Sequence, residues 1–252
     1  MKIITRIARL LILIYIGFGI VLFYLQRDFM YFPSVKTSHT YNLEQFLIDG
    51  ESIEVVVINK GKSKAVIYFG GNGESVVGNA SRFVDTFNSH TVYLVNYRGY
   101  GGSSGIPTEK NLYSDAQHIY DAIQKEYEHI SVIGRSLGTG VATYLASTRA
   151  IAKMILITPF DSIKNVAQEQ YPLYPMSLFL MDKYDSSSRI ENIKSETLII
   201  LAEKDAVIPK ESSNRLIRLF PVSQVTVEVI KGAGHNTVSH KERYYSLLKE
   251  FI

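Results

Sequence analysis

The chain has 252 residues, of which 46% are hydrophobic, and its formal net charge at pH 7 is +3. Chains of this length usually form one α/β domain with a full hydrophobic core, and no basic stripe beyond the N-terminus points to a nucleic-acid partner. The absence of cysteine excludes disulfides, cysteine-ligated zinc and a cysteine nucleophile.

The first predicted element is an apolar helix near the N-terminus. Residues 10–25, LLILIYIGFGIVLFYL, carry no charge, and basic residues precede them at positions 2, 6 and 9. As a helix this run spans ~24 Å, slightly less than the ~30 Å hydrocarbon core of a bilayer. A snorkelling Arg9 and the aromatic residues at 29, 31 and 32 can supply the difference.

We therefore predict a membrane anchor and junction over residues 1–33. A cleaved signal peptide and a buried core helix are the alternatives, but neither a small-x-small cleavage site nor a polar helix face is evident. The positive-inside rule predicts a cytoplasmic N-terminus and an extracytoplasmic position for the rest of the chain.

After a polar linker at residues 34–42, strand-like and helix-like segments alternate along the chain. The predicted strands cover residues 52–58, 64–69, 91–96, 130–134, 153–158, 197–202 and 225–230. The predicted helices cover residues 76–88, 109–127, 137–147, 210–220 and 241–252. Unbroken apolar strands such as AVIYF and MILIT favour a sheet covered on both faces. The alternation therefore predicts an α/β fold over residues 34–252, with a mostly parallel central sheet and helices on both faces.

Residues 159–195 interrupt this alternation. The segment includes YPLYPMSLFLMDKY, which makes it too apolar for a solvated loop, and it is too long for a simple connection. We predict a short cap insertion over a pocket, with an additional packing helix as the alternative.

A serine stands where the strand at 130–134 turns into the helix at 137–147. Gly134-Arg135-Ser136-Leu137-Gly138 matches G-x-S-x-G, a turn that strains the serine backbone and lifts its hydroxyl above the sheet. Strand and helix approach so closely there that the positions two before and two after the serine cannot hold a side chain. We predict that Ser136 is a nucleophile, with a purely structural turn as the alternative.

A serine nucleophile needs a base that is held in place by an acid, and on this type of scaffold the acid comes next in the chain. Asp205 fits the acid because it follows a buried strand in LIILAEKDAVIP. A helix N-cap or a solvated turn would also explain this aspartate. Glu203 and Asp161 are weaker candidates for the acid.

The histidine that fits the base is His235 in VTVEVIKGAGHNTV, where it follows a strand and two glycines that free the loop. His240 is its rival but reads as the start of the last helix. Residue types, order and preceding strands together predict a catalytic triad of Ser136, Asp205 and His235.

Acyl transfer also needs two backbone N–H groups aimed at the developing oxyanion. One is predicted at Leu137, directly after the serine. The other is predicted in the GGNGES loop at the N–H of Asn72, with Gly71 as the alternative, because glycines allow that backbone to turn sharply beside the substrate. A phosphate cradle is excluded because the loop matches neither G-x-G-x-x-G nor G-x-x-x-x-G-K-[ST].

Together, GRSLGTG, YFGGNGES, NYRGYGGSSGIPTE, AEKDAVIP and GAGHN resemble the α/β-hydrolase superfamily. Within it they most resemble the membrane-anchored ABHD-type serine hydrolases and their bacterial relatives, which have a junction similar to QRDFMYFPS. The resemblance implies an α/β-hydrolase fold, the same triad, and cleavage of carboxylic esters or thioesters, with lipid or acyl-protein substrates. One departure is Gly70-Gly71-Asn72, where the relatives usually have histidine-glycine-asparagine, and it affects the support of the loop.

The predicted activity is thus that of a membrane-anchored serine hydrolase that forms an acyl-enzyme on Ser136 and releases it with water. No cofactor, metal or nucleic-acid partner is implied, and the expected partners are a small-molecule or lipid substrate and the membrane. An acyltransferase that uses the same triad and a catalytically silent membrane-tethered binding protein are the alternatives. A packing role, rather than catalysis, is expected for Arg98.

Overall fold

The sheet at the centre of the molecule has eight strands within residues 2–252, the part of the chain that the computed structural model describes. Residue 1, the first of the predicted anchor, lies outside the described part. The strands are β1 (Asn42–Ile48), β2 (Glu51–Ile58), β3 (Lys64–Phe69), β4 (His90–Val95), β5 (His129–Arg135), β6 (Lys153–Ile157), β7 (Glu196–Ala202) and β8 (Val225–Ile230). Their order in the sheet is β1-β2-β4-β3-β5-β6-β7-β8.

Eight α-helices accompany the sheet in the same described part. They are α1 (Lys2–Met30), α2 (Ala80–Thr86), α3 (Glu109–Ile123), α4 (Leu137–Thr148), α5 (Ile163–Gln170), α6 (Met176–Phe179), α7 (Lys210–Ile217) and α8 (Glu242–Phe251). Short 3₁₀ turns precede α2 and follow α3, so the predicted helices at 76–88 and 109–127 are each divided in two.

The strand pairing confirms the predicted fold class. β2 pairs antiparallel with β1 and β4, and every other neighbouring pair is parallel. Side chains of α3, α4 and α7 pack on one face, and those of α2 and α8 pack on the other. The two covered faces explain the unbroken apolar runs of β3 and β6, whose residues are almost all buried.

The sequence does not predict β1. Ile48 is its one buried residue, because β1 lies at the edge of the sheet and pairs with β2 alone. A strand with so little buried surface lacks the apolar pattern on which the prediction of strands depends. β1 begins at Asn42, the last residue of the polar linker predicted at 34–42.

The N-terminal helix α1 is longer than the apolar run from which it was predicted. It is long and apolar enough to cross a membrane, with a mean hydropathy of 2.3 over its most apolar window and 11% of that window buried. Gly19, Gln26 and Met30 are its buried residues. α1 is therefore not a core helix, although one side of it lies against the segment 159–195, which connects β6 to β7 and contains α5 and α6.

Arg98 is buried in the loop after β4, where it forms an ion pair with Asp115 of α3. Its Nη2 and Nε donate to the two carboxylate oxygens of Asp115 over 2.7 and 2.9 Å. Its Nη2 also lies 3.2 Å from Asp49, in the turn between β1 and β2. Arg98 thus joins three elements of the fold. Burial raises the pKa of Asp115, while the guanidinium of Arg98 opposes that effect.

We expect Asp115→Ala to lower the free energy of unfolding by about 3–5 kcal/mol, because it leaves the buried Arg98 charge without its principal partner. The matched control is Asp121→Ala on the same helix, which breaks an exposed pair with Arg149 and should cost at most about 1 kcal/mol. Chemical denaturation followed by circular dichroism measures both values, and equal losses would contradict the expectation.

Candidate active site

Ser136 occupies a strained turn between β5 and α4. Its φ of 49° and ψ of −116° lie in a region that costs a non-glycine residue about 1–3 kcal/mol. The surrounding structure holds this turn, because the Ser136 N–H donates to Ile157 O in β6 and the N–H of Thr139 donates to Ser136 O, each over 2.9 Å. β6 and α4 together therefore fix the backbone of Ser136 in this conformation.

The two glycines of the motif allow the turn to form. A Cβ at Gly138 would overlap the carbonyl oxygen of Phe69 in β3, and one at Gly134 would overlap the carbonyl oxygen of Gly138. Both contacts are with backbone, which cannot move aside as a flexible side chain can. The close approach inferred from the sequence is therefore present in the fold.

His235 connects Ser136 to Asp205. Its Nε2 lies 2.9 Å from Ser136 Oγ, and its Nδ1 lies 2.9 and 3.1 Å from the two carboxylate oxygens of Asp205. Ser136 is 9% exposed and His235 is 8% exposed. The carboxylate can only accept a hydrogen bond from Nδ1–H, which assigns Nε2 as the acceptor that faces the serine.

Asp205 remains ionised in this arrangement. Burial by itself would raise the pKa of Asp205, but hydrogen bonds from His235 and from the N–H of Ile208 outweigh it and hold the pKa below its ordinary value. The N–H groups of Val207 and Ile208 both donate to Oδ1 over 2.9 Å. A charged carboxylate at this place can stabilise a cation on His235.

Parallel strands explain how residues so distant in the chain meet. β5 precedes Ser136, β7 precedes Asp205 and β8 precedes His235, and all three strands end at the same edge of the sheet. The loops that follow them therefore converge, as ligand-binding loops of open α/β sheets do.

The rival residues named from the sequence have other partners. Glu203 accepts a hydrogen bond from Gly232 N over 2.7 Å and so holds the loop that bears His235. Asp161 bonds to Ser212 and to residues of α5 and α7, and His240 is an exposed residue of a 3₁₀ turn. Among residues 2–252, none of these three rivals has a hydrogen bond with Ser136 or His235.

Two backbone N–H groups remain open at the site. Leu137 and Asn72 line the same cavity as Ser136, and no group in the described part of the chain accepts a hydrogen bond from either backbone N–H. The alternative donor, Gly71 N–H, already donates to Glu74 Oε2 over 2.8 Å. Of the two N–H groups considered in the GGNGES loop, that of Asn72 is thus the open one.

The carbonyl groups of that loop are held by two buried tyrosines. The hydroxyl of Tyr97 donates to Gly70 O over 2.8 Å, and the hydroxyl of Tyr100 donates to Asn72 O over 2.6 Å. The end of α1 and the junction after it add one contact each. The Asn72 side chain donates to Met30 O, and Phe32 N donates to Asn72 O, both over 3.0 Å. These contacts support the loop where the resemblance leads one to expect a histidine.

The sequence patterns do not identify Glu74 and Arg135, which link the loops of the site. Arg135 Nη1 lies 3.2 Å from Glu74 Oε2, and both side chains are largely buried. Glu74 also accepts hydrogen bonds from the hydroxyl of Tyr68 and from Asn79. The one available signal was their position, since Arg135 adjoins the serine and Glu74 is the only charged residue of GGNGES.

The cavity at Ser136 has a volume of about 240 Å³, and its lining, drawn from residues 2–252, includes no charged residue. Part of its wall belongs to α1, through Leu22, Gln26, Phe29 and Met30. The segment 159–195 supplies Phe160, Ile163, Val166, Ala167, Gln170, Tyr171, Met176, Phe179 and Leu180. The contribution of α1 was not predicted, because its apolar residues have the pattern of a membrane anchor.

Comparison with known proteins identifies relatives of this chain. A family model described as alpha/beta hydrolase fold matches residues 64–178. The uncharacterized protein Rv2307c of Mycobacterium tuberculosis is 32% identical over 84% of this chain and 80% of that protein. Alpha/beta hydrolase domain-containing protein 17B of Homo sapiens is 34% identical over 64% of this chain, and the match spans 56% of that protein.

A solved structure shares the architecture over most of its length. The Pyrococcus furiosus esterase Pf2001 superposes with a TM-score of 0.70 at 18% sequence identity, over 88% of this chain and 97% of that chain. At that identity the likeness is one of fold.

Asp161 gives a pH-dependent expectation for stability. Burial alone would raise the pKa of Asp161, but hydrogen bonds from Arg215 and Ser212 outweigh it, so the pKa lies below its ordinary value. A lowered carboxyl pKa stabilises the folded state above the unfolded value of ~3.9 and ceases to do so as the pH falls through the folded value. We expect Asp161→Asn to cost about 1–3 kcal/mol at neutral pH.

The difference in the free energy of unfolding between Asp161→Asn and wild type should then narrow below about pH 4. Urea unfolding over a series of pH values measures it. Glu169→Gln is the control, because it removes the other, more exposed partner of Arg215 and should change little at any pH. A penalty for Asp161→Asn that stays constant down to about pH 3 would contradict the expectation.

Proposed function

The chain belongs to the α/β-hydrolase superfamily and is a hydrolase of that fold, and we propose that it cleaves carboxylic ester or thioester bonds through an acyl-enzyme on Ser136. One observation carries the proposal. His235 lies 2.9 Å from Ser136 Oγ on one side and 2.9 Å from Asp205 Oδ2 on the other. A strained serine, a base and an ionised acid in this order are the arrangement that nucleophilic acyl transfer requires.

The first half of the reaction forms the acyl-enzyme. His235 Nε2 takes the proton of Ser136 as Oγ bonds to the carbonyl carbon, and Asp205 stabilises the resulting imidazolium. The N–H groups of Leu137 and Asn72 donate to the oxyanion, and each such donor is typically worth ~3–4 kcal/mol. His235 then gives its proton to the leaving oxygen or sulfur as the bond from that atom to the carbonyl carbon breaks.

The second half releases the acyl group. Water loses a proton to His235 Nε2 as its oxygen bonds to the acyl carbon, and collapse of the second oxyanion returns the proton to Ser136 Oγ. The products are a carboxylic acid and the free enzyme. All of these steps use groups of the chain and water.

The lining of the cavity supports an apolar acyl group as the substrate. A charged group would lose its hydration among such residues as Leu22, Val166 and Phe179 without gaining an ionic partner. A hydrocarbon chain instead removes apolar surface from water on both sides of the contact. Small-molecule esters and lipid or acyl-protein substrates all present such a chain.

The proposal extends to how the chain is organised. Residues 1–33 act as membrane anchor and junction, residues 34–252 form the hydrolase domain, and residues 159–195 are its cap. The exposed apolar surface and the hydropathy of α1 support anchoring. The basic residues Lys2, Arg6 and Arg9 favour a cytoplasmic N-terminus and an extracytoplasmic site.

We expect a fluorophosphonate probe to label the wild-type protein and to leave Ser136→Ala unlabelled. The same substitution should reduce hydrolysis of a butyryl ester by at least about 10³-fold, and Asp205→Asn should reduce it by about 10⁴-fold. Ser131→Ala, which changes a buried serine of β5, the strand that ends just before Ser136, is the control and should keep both label and activity. Labelling or activity that survives Ser136→Ala would remove the serine from the mechanism.

The tyrosines that hold the GGNGES loop should affect turnover more than substrate binding. We expect Tyr97→Phe and Tyr100→Phe each to lower kcat by about tenfold, with a smaller change in KM, because a misdirected N–H at Asn72 loses part of its oxyanion stabilisation. Tyr93→Phe, whose hydroxyl contacts Tyr127, is the control. Steady-state kinetics on a butyryl ester measures all three, and unchanged kcat in both loop variants would contradict this role.

A further inference from the structure

The helix α1 and the tip of the cap, defined here as residues 171–181, are joined along much of the helix. The ring of Tyr15 stacks on that of Tyr174, with centroids 4.6 Å apart. The Tyr15 hydroxyl donates to Leu173 O over 2.7 Å, and the Tyr174 hydroxyl donates to Tyr15 O over 2.8 Å. The cap tip therefore meets α1 in the middle of its apolar run.

A second group of contacts joins α1 and the cap tip just past the C-terminal end of that run. Gln26 accepts a hydrogen bond from Met181 N over 2.7 Å and donates to Phe179 O over 3.2 Å. One residue on, Arg27 Nε lies 2.9 Å from Asp182. The ion pair of Arg27 thus lies at the C-terminal end of the cap tip, and the stacked pair of Tyr15 and Tyr174 lies near its N-terminal end.

The rise per residue of an α-helix gives the depth at which the contacts between α1 and the cap tip would lie in a bilayer. Tyr15 precedes Arg27 by twelve residues, which corresponds to ~18 Å along the helix axis. When α1 crosses a bilayer with Arg27 at the interface, Tyr15 lies well inside the ~30 Å hydrocarbon core. Leu173 and Tyr174 contact Tyr15 directly, so they lie at the same depth.

The composition of the cap tip suits that environment. Its sequence, YPLYPMSLFLM, has no charged residue, and Leu173 and Leu178 are 76% and 80% exposed. The backbone carbonyls of Leu173 and Phe179 accept hydrogen bonds from α1. Internal pairing of this kind is what backbone in a hydrocarbon environment requires.

The line of contact between α1 and the cap tip, called the seam below, leads to Ser136. Leu22 of α1 and Met176 of the cap tip both line the cavity that Ser136 lines. Phe179 lines this cavity and also a second groove, which runs along α1 past Gly19 and Tyr15. An apolar surface therefore continues from the nucleophile towards the middle of the apolar run.

We propose that the cap tip lies within the membrane leaflet beside α1, and that a long-chain acyl ester resident in that leaflet reaches Ser136 through the seam between them. The acyl route depends on the proposed function, whereas the position of the cap tip does not. α1 is then a wall of the substrate site as well as an anchor. The acyl chain passes from lipid to an apolar cavity and remains out of water throughout.

Fluorescence quenching tests the position of the cap tip without any need for activity. The chain has no tryptophan, so Leu178→Trp introduces a single reporter. In vesicles of brominated phosphatidylcholine we expect that reporter to lose most of its emission. The control is Val222→Trp. Val222 is 93% exposed in the turn before β8, at the amino ends of the parallel strands, whereas Ser136 lies at their carboxyl ends. The emission of this variant should be unchanged. An unquenched Leu178→Trp would overturn the proposed position.

A pair of leucine substitutions on α1 tests the acyl route. Leu22→Trp enlarges a side chain of the cavity wall and so narrows the cavity. Leu25→Trp changes an exposed residue that does not line the cavity. In vesicles we expect Leu22→Trp to lower kcat/KM for an oleoyl ester at least about tenfold more than it lowers kcat/KM for a soluble butyryl ester. Leu25→Trp should leave both values near wild type.

The outcomes separate this proposal from the proposed function. If Leu22→Trp still takes the fluorophosphonate label and hydrolyses oleoyl and butyryl esters at wild-type rates, or loses both equally, the acyl route is wrong and the serine hydrolase stands. A wild-type protein that takes no label and cleaves neither ester overturns the proposed function and the acyl route with it. Quenching of Leu178→Trp would then still support the position of the cap tip.

Discussion

The backbone conformation of Ser136 is the constraint on which the rest of the site depends. A positive φ at a non-glycine residue persists because β6 and α4 hold both sides of the turn through Ile157 and Thr139. The turn also brings α4 against the end of β3, so position 138 must be glycine. As a result the hydroxyl of Ser136 and the N–H of Leu137 open on the same cavity.

Buried contacts couple the loops that surround this turn. Arg135 and Glu74 form a largely buried ion pair, and the loss of either partner would leave the other charge without compensation. Glu74 accepts the hydrogen bond of Gly71 N–H, whereas Asn72 N–H has no acceptor in the described part of the chain. The Asn72 side chain in turn donates to Met30 O at the end of α1. The turn at Ser136, the GGNGES loop and α1 therefore depend on one another, so that the apolar helix and the candidate site share contacts.

Much of the fold follows from local patterns in the sequence. Apolar runs predict β3 and β6 because both faces of the sheet are covered, and the glycines of G-x-S-x-G indicate a turn too close for side chains. The edge strand β1 could not be predicted in the same way, because Ile48 is its one buried residue. Burial on at least one face creates the pattern that identifies a strand, and an exposed edge provides little of it.

The sequence by itself determined the order of the candidate residues along the chain, the strands that precede them and the apolar character of α1. All three are local features that depend on neighbouring residues. Only the tertiary structure decided that Asp205 rather than Asp161 meets His235, that Glu74 pairs with Arg135, and that α1 lines the cavity. Contacts such as that of Tyr15 with Leu173 join residues 158 positions apart. No periodicity or spacing along the sequence relates two residues so far apart, because their proximity arises from the packing of the sheet, the segment 159–195 and α1.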